Sequence, residues 1–163
     1  MREVYKNLFV GSQSDYESNP ELFDDWYVIH ACKEPYHRKA LGYTGRAAPK
    51  NSPYYLFLYD RKNHLILNIV DTESPDFFKD EMINEALNYA SEGLAKGKRV
   101  LIHCNQGESR APSLALLLLN VLGIYDCNFN EAVNAFVLAY PEYMPKSGIF
   151  QYVKRRWKNE TQN

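Results

Sequence analysis

Cys104 and Arg110 stand six positions apart within Val100–Ser113, VLIHCNQGESRAPS, between an apolar run and a strongly apolar helical stretch. A strand that feeds a loop onto a helix N-terminus turns successive backbone N–H groups into one concavity, and the helix dipole adds partial positive charge there. Anions bind such places. A cysteine at the start of the loop feels the same field, which stabilises its thiolate and lowers a pKa of about 8.5 in a free peptide, giving a nucleophile at neutral pH. Arg110, at the far end, can fork two oxygens of a bound phosphoryl group. Taken alone, a cysteine after Val-Leu-Ile is a buried core residue. The neighbours change that reading: His103 beside it, Gly107 where a tight loop must turn, and Pro112 in the first turn of the following helix suit an anion loop. Its members would be Asn105, Gln106, Gly107, Glu108, Ser109 and Arg110.

Breaking a phosphate monoester also requires a proton for the leaving oxygen. Asp71 is the candidate donor, because it follows the apolar run Leu65–Val70 and opens the polar turn DTESPD, which projects its side chain from a strand end. Glu73 and Asp76 compete for the role. Ser74-Pro75-Asp76, however, reads as the start of the next helix, with Ser74 at the N-cap and Pro75 at the first helical position. Without the cysteine loop, Asp71 would read as a turn residue.

HCNQGESR resembles the HCxxGxxR signature of the cysteine-dependent protein tyrosine phosphatases, and the SRxP ending is most similar to their small dual-specificity branch. LFVGS at Leu8–Ser12 resembles that branch's opening strand, LNIVD at Leu67–Asp71 the strand leading to its acid loop, and YPEYMPKSGIFQYVKRRW its closing segment. The resemblance implies a two-step reaction. The Cys104 thiolate attacks phosphorus in line, the loop amides and Arg110 hold the equatorial oxygens, and Asp71 protonates the leaving oxygen. Asp71, now a carboxylate, then activates water to hydrolyse the phosphocysteine. Neither metal nor cofactor is needed. His103 is expected to fix the loop by hydrogen bonds and support the thiolate. One departure stands out: Ala111 occupies the place where the family carries Ser or Thr, whose hydroxyl donates to the departing thiolate in the second step. Hydrolysis of the intermediate should therefore slow more than its formation, unless Ser109 or Ser113 supplies a substitute donor.

The resemblance implies action on phosphotyrosine, phosphoserine or phosphothreonine in proteins. The alternatives are a non-protein phosphomonoester, such as a nucleotide-like metabolite or an RNA end, and a weakly active module that captures phosphorylated partners. Glu108 either weakens attraction for highly charged ligands such as polyphosphorylated lipids or points to solvent without effect. Sulfur transferases of the rhodanese type need no upstream acid, and arsenate reductases and low-molecular-weight phosphatases carry their loop near the N-terminus. Both fit less well.

A chain of 163 residues, 45% hydrophobic and 24% charged, can bury one substantial core, so a single domain over residues 1–163 is expected. A net charge of −1 provides no global field for nucleic acid or an acidic membrane. Ser113–Ile124, the most apolar stretch, is too short to span a bilayer, so a soluble monomer in the cytoplasm is expected. Three cysteines, Cys32, Cys104 and Cys127, are too sparse and odd a set for a disulfide framework and suit a reducing compartment.

The elements that must position the loop follow from patterning. Leu8–Val10, Tyr27–Cys32, Tyr54–Tyr59, Leu65–Val70 and Arg99–His103 read as strands, with a hairpin turn at Asp60–Asn63. Residues 77–95, 110–122, 129–140 and 147–158 read as helices, and 15–25 as a shorter one. Such alternation predicts an α/β fold, a central mixed sheet of about five strands flanked by helices, with the loop between a strand and a helix. Lys33–Pro53 is an atypical basic insertion whose Gly and Pro residues argue against regular structure. It either holds an anionic substrate beside the loop or is a solvated surface segment.

Overall fold

The computed structural model describes residues 1–158. Its centre is β6, Val100–Cys104, buried at every position, which pairs in parallel with β2, Leu8–Ser12, on one side and β3, Tyr27–His30, on the other. β5, Leu65–Leu67, continues the parallel set beside β3. Two antiparallel edges complete a six-stranded mixed sheet in the order β1-β2-β6-β3-β5-β4: β1, Arg2–Tyr5, and β4, Phe57–Tyr59. The β1 strand escapes the sequence pattern because REVY is short and mostly exposed, with too little alternation to mark it.

Strand alternation divides the interior into two unequal layers. Leu8, Val10, Ile29, Val100, Ile102 and Cys104 face the main core, which is built with α3, Asp80–Ala95, α4, Arg110–Val121, α5, Phe129–Ala139, and α6, Ser147–Arg156. Ten of the twelve α4 residues are buried, as a helix wrapped by sheet and neighbours on all sides requires. Val28 and Leu101 face the other way, onto a small core with Tyr16 of α1, Gln13–Glu17, and Phe23 of a 3-10 turn, Pro20–Phe23. The single helix expected at 15–25 is therefore two pieces, parted before Pro20. Ser74 does cap a helix start, accepting from the Asp76 N–H. That helix is a separate 3-10 turn, Pro75–Phe77, and α3 begins later, at Asp80.

The basic insertion is more ordered than its Gly and Pro content suggests. A wide helical turn, Lys33–His37, runs into α2, Arg38–Leu41, which Gly42 ends in the left-handed conformation at φ 84°. Arg38 explains the order: its guanidinium donates to the Glu34 carboxylate at 2.8 Å and to the Gly45 carbonyl at 2.7 Å, and lies over the Tyr43 ring. Buried His37 is the inner anchor. Its Nε2–H donates to the Tyr54 carbonyl at 2.9 Å, which leaves Nδ1 to accept the Tyr43 hydroxyl at 3.0 Å. Burial lowers the His37 pKa below its usual value, and the charge of Lys33 acts in the same direction. The unfolded chain, with a histidine pKa of about 6.5, thus takes up the proton first, so this contribution to stability is complete above that pH and is lost as pH falls. Protection of the amides across residues 33–54, corrected for intrinsic exchange, is expected to fall as pH drops below about 6.5, and His37→Gln to remove that dependence; protection unchanged with pH would contradict the anchor.

Candidate functional site

The loop from Asn105 to Ser109 joins β6 to α4, and three of its backbone carbonyls are held outward by the surrounding protein. The Asn105 carbonyl accepts from the Gln13 N–H at 3.2 Å, the Gly107 carbonyl from the Tyr140 hydroxyl at 2.6 Å, and the Glu108 carbonyl from the Met144 N–H at 2.8 Å. No backbone N–H from Asn105 to Arg110 has an acceptor among the described residues. Ser109, at the N-cap of α4, makes no side-chain cap, so the first amides of a twelve-residue helix are open too. Carbonyls out and amides in make an anion cradle. Gly107 permits the turn: it sits at φ 76°, and a Cβ there would lie 3.0 Å from the Gly11 backbone.

Cys104 ends β6, 2% exposed, on the main-core face, and opens onto a cavity of about 300 Å³. Asp71, Asn105, Gln106, Glu108, Ser109, Arg110, Met144 and Lys146 complete its lining. The Arg110 guanidinium is held at two corners, by the Ile69 carbonyl at 3.2 Å and the Asn105 Oδ1 at 2.7 Å, while its buried Nε meets no acceptor among the described residues. Asn105 in turn donates through Nδ2 to Gln13 Oε1 and to the Glu34 carbonyl. The Asn105 side chain is therefore a brace between Arg110, α1 and the insertion, and only its backbone belongs to the cradle.

Asp71 lies beyond the end of β5, which is shorter than Leu65–Val70. The ladder ends at Leu67, and beyond it Ile69 gives its carbonyl to the Lys33 N–H and to Arg110. A tight turn follows, closed by the Thr72 N–H on the Val70 carbonyl at 3.2 Å, and it leaves the buried Asp71 Oδ1 with no partner among the described residues. Glu73 and Asp76 are both exposed, and Asp76 pairs with Arg155 at 3.3 Å. Of the three acids, only Asp71 lines the cavity with Cys104. The turn is strapped to α6: Ser147 donates to the Glu73 carbonyl at 3.2 Å, and Gly148 packs so closely on the Thr72 carbonyl that no Cβ fits between them.

His103 points away from the sulfur, because adjacent residues of a strand face opposite sides of the sheet. Its Nδ1 lies 3.4 Å from the Cys104 carbonyl and its Nε2 2.6 Å from His30 Nδ1. Burial pushes the His103 pKa down to about 4, so it is neutral at pH 7. The expected support for the thiolate thus reaches the nucleophile's backbone, and comes neither by contact with sulfur nor from a positive charge.

Ala111 is fully buried, and of the two substitute donors the hydroxyl of Ser113 is engaged with that of Tyr143 at 3.2 Å. Ser109 Oγ accepts from the Lys146 N–H at 2.9 Å, keeps its own proton free and lines the cavity. Cys32 and Cys127 are unpaired. Burial pushes the Cys32 thiol up to about 12, against the favourable charge of Arg110, so it is a protonated thiol at neutral pH. Sequence reasoning missed Met144, Lys146 and Gly148. The segment MPKSG held the signal, a cation and a glycine at a helix start, but nothing local ties them to a loop 35 residues upstream.

No protein-family profile matches the chain. Among curated proteins it is 36% identical over 90 residues to dual specificity protein phosphatase YVH1 of Plasmodium falciparum (isolate 3D7), covering 53% of this chain and 15% of that protein. The chain thus spans a small part of that relative's length. Among solved structures, DUSP15 superposes with a TM-score of 0.68 at 17% identity, over 95% of this chain and 85% of its own. Human tyrosine phosphatase-like serine/threonine/tyrosine-interacting protein gives 0.66 at 16% identity, over 95% and 93%. A leucine rich repeat and phosphatase domain containing protein from Entamoeba histolytica gives 0.65 at 16%, over 95% and 88%. These likenesses show the fold.

The cradle makes a prediction of its own. Tungstate, a tetrahedral oxyanion, is expected to protect Cys104 from alkylation by iodoacetamide at pH 7. Arg110→Lys should weaken that protection about ten- to a hundredfold, since an ammonium cannot replace a planar fork of charged hydrogen bonds. Unchanged protection would mean that the anion sits elsewhere.

Proposed function

We propose that this chain, which has the fold of the cysteine-dependent protein tyrosine phosphatases in their small dual-specificity form and carries their HCxxGxxR loop, hydrolyses phosphomonoesters on proteins through Cys104. The observation that carries the reading is the coincidence, in one cavity, of a cysteine beneath acceptor-free amides, a guanidinium with a free buried N–H, and a carboxyl oxygen without a partner. Each is what one part of the transition state requires. The amides and Arg110 neutralise the equatorial oxygens, the thiolate enters in line, and Asp71 delivers a proton to the leaving oxygen. Cys104 then carries the phosphoryl group until water, activated by Asp71, attacks phosphorus and restores the thiolate.

The whole chain is read as one domain, with residues 33–53 inserted beside the loop. The hydrogen bond from Asn105 to the Glu34 carbonyl supports a role for this insertion in shaping the substrate's approach. Its exposed Lys39, Arg46 and Lys50 would meet acidic residues flanking a phosphorylated side chain. No described helix is long and apolar enough to cross a membrane, and three unpaired cysteines support a reducing, cytoplasmic setting.

The decisive assay offers an aryl phosphate, phosphopeptides of all three hydroxyl types and a panel of phosphorylated metabolites to the protein. Turnover is expected on phosphopeptides, abolished by Cys104→Ser and lowered about 10²- to 10³-fold by Asp71→Asn, with the larger loss on alkyl phosphates, whose leaving groups need the proton more. Preference for a metabolite would move the activity off proteins; tight phosphopeptide binding without phosphate release would make the chain a reader.

Rapid kinetics test Ala111. A burst of product, one equivalent per Cys104, should precede a slow steady state, and Ala111→Ser should raise the steady rate while shrinking the burst. Ser109→Ala should lower the steady rate further, since the Ser109 hydroxyl lines the cavity with its proton unclaimed. A linear time course together with no gain from Ala111→Ser would show that dephosphorylation is not limiting.

A further inference from the structure

On the sheet face opposite the thiol, the direction of each imidazole's hydrogen bonds can be read from its partners, because a carbonyl oxygen only accepts. His103 Nδ1 faces the Cys104 carbonyl, so Nδ1 bears the proton and Nε2 a lone pair. His30 Nδ1, 2.6 Å from that Nε2, must be the donor, which leaves a lone pair on His30 Nε2. His64 Nε2 faces the Phe23 carbonyl at 3.1 Å, so it too is a donor and His64 Nδ1 is bare. That Nδ1 is fully buried and has no partner among the described residues. Asp60, across the hairpin turn from His64, receives the N–H groups of Lys62 and His64 on Oδ1 at 2.8 and 3.0 Å. One ligand atom each from His30, His64 and Asp60 lies within 4.8 Å of the other two. The nearby cation Lys62 is spent on Asp24, at 2.6 Å.

Two neutral imidazole lone pairs and a carboxylate therefore converge with no protein donor between them. An unpaired buried acceptor such as His64 Nδ1 is costly, and a positive centre would relieve it while also taking the His30 lone pair and the Asp60 charge. We propose that His30 Nε2, His64 Nδ1 and an Asp60 carboxylate oxygen bind a divalent metal ion of the zinc class. Two imidazoles and a carboxylate are a borderline-soft donor set that suits zinc better than magnesium or calcium. Bond lengths of about 2.0–2.2 Å put tetrahedral ligands about 3.4 Å apart, so the three side chains need draw in by only about an ångström. Their outer hydrogen bonds are already those of metal-bound histidines, each donating its far N–H: His64 to the Phe23 carbonyl, His30 to His103. The ion would tie the β4–β5 turn to the end of β3, and through His30 and His103 would brace the Cys104 carbonyl. The site stands apart from the catalytic cavity and does not depend on the phosphatase reading.

The test uses full-length Cys104→Ser protein, which removes the thiolate that would itself capture zinc. After chelator treatment it is titrated with Co²⁺ and then Zn²⁺. One equivalent of Co²⁺ is expected, with the visible absorption of a four-coordinate site, displaced by Zn²⁺, and Zn²⁺ should raise Tm. His64→Gln and Asp60→Asn should each weaken binding by at least about tenfold while tungstate binding at the loop is retained. No stoichiometric uptake, or uptake indifferent to both substitutions, overturns the proposal and leaves the lone pairs to a buried water. Should a variant fail to fold, X-ray absorption of the Co²⁺-loaded protein decides: imidazole nitrogen and oxygen neighbours support the site, and sulfur ligation sinks it.

Discussion

The loop can hold an anion because its own carbonyls are spoken for. A peptide unit is a dipole, and a bend of six residues could turn either end into the hollow. Here Gln13, Tyr140 and Met144 take the carbonyls of Asn105, Gly107 and Glu108 from three directions, and what remains facing inward is N–H. The partners come from α1, the end of α5 and the segment before α6, so the cradle is imposed by the surrounding fold and is not a local property of HCNQGESR. That is also why the field at Cys104 costs nothing to reorganise when charge develops: the donors are fixed before any substrate arrives.

Strand alternation supplies the second constraint. Cys104 and His103 are neighbours in sequence, yet one faces the helices and the other a small aromatic core where Tyr16 stacks on His103 at 5.2 Å and Tyr36 on His30 at 4.5 Å. The chemistry of sulfur and the hydrogen bonding of imidazole are thereby kept on opposite sides of the sheet and communicate through one carbonyl. A buried histidine beside a nucleophile is easily taken for its base; here geometry excludes that role, because the ring lies on the face of the sheet away from the sulfur.

The readable part of the site was the part written contiguously. Cys104, Gly107, Ser109 and Arg110 lie in one stretch whose grammar, strand to loop to helix, states its purpose, and the four longer helices follow from apolar periodicity. What could not be read was long-range. Lys146 and Met144 reach the cavity only because α6 packs beside α4, and Asn105 looks like a loop donor until Arg110, Gln13 and Glu34 are seen around it. The order in residues 33–53 was hidden for the same reason: one arginine, donating to Glu34 and to carbonyls further along, overrides the local preference of Gly and Pro.

Charge counting around the cavity bears on what enters it. In the state that the proposed mechanism requires, Arg110 and Lys146 contribute two positive charges to its lining, Glu108 and the Cys104 thiolate two negative ones, and Asp71 holds the proton it donates, so the charged side chains offer a phosphoryl group little net attraction. Affinity has to come from short-range terms, the inward amides, the α4 dipole and the forked hydrogen bonds of Arg110, which act within the first turn of the helix. Such terms reward one well-seated phosphoryl group and give little to a second phosphate placed further out, where Glu108 would oppose it. Longer-range selection must then fall to charges outside the cavity, and Lys39, Arg46 and Lys50 of the insertion are exposed cations braced to the loop by Asn105. A ligand with a single phosphate on a chain bearing acidic neighbours satisfies both layers at once. A compact polyphosphate gains nothing from the cavity beyond its one seated phosphoryl group and brings a second phosphate towards Glu108, so within the proposed function a phosphorylated side chain is the better fit.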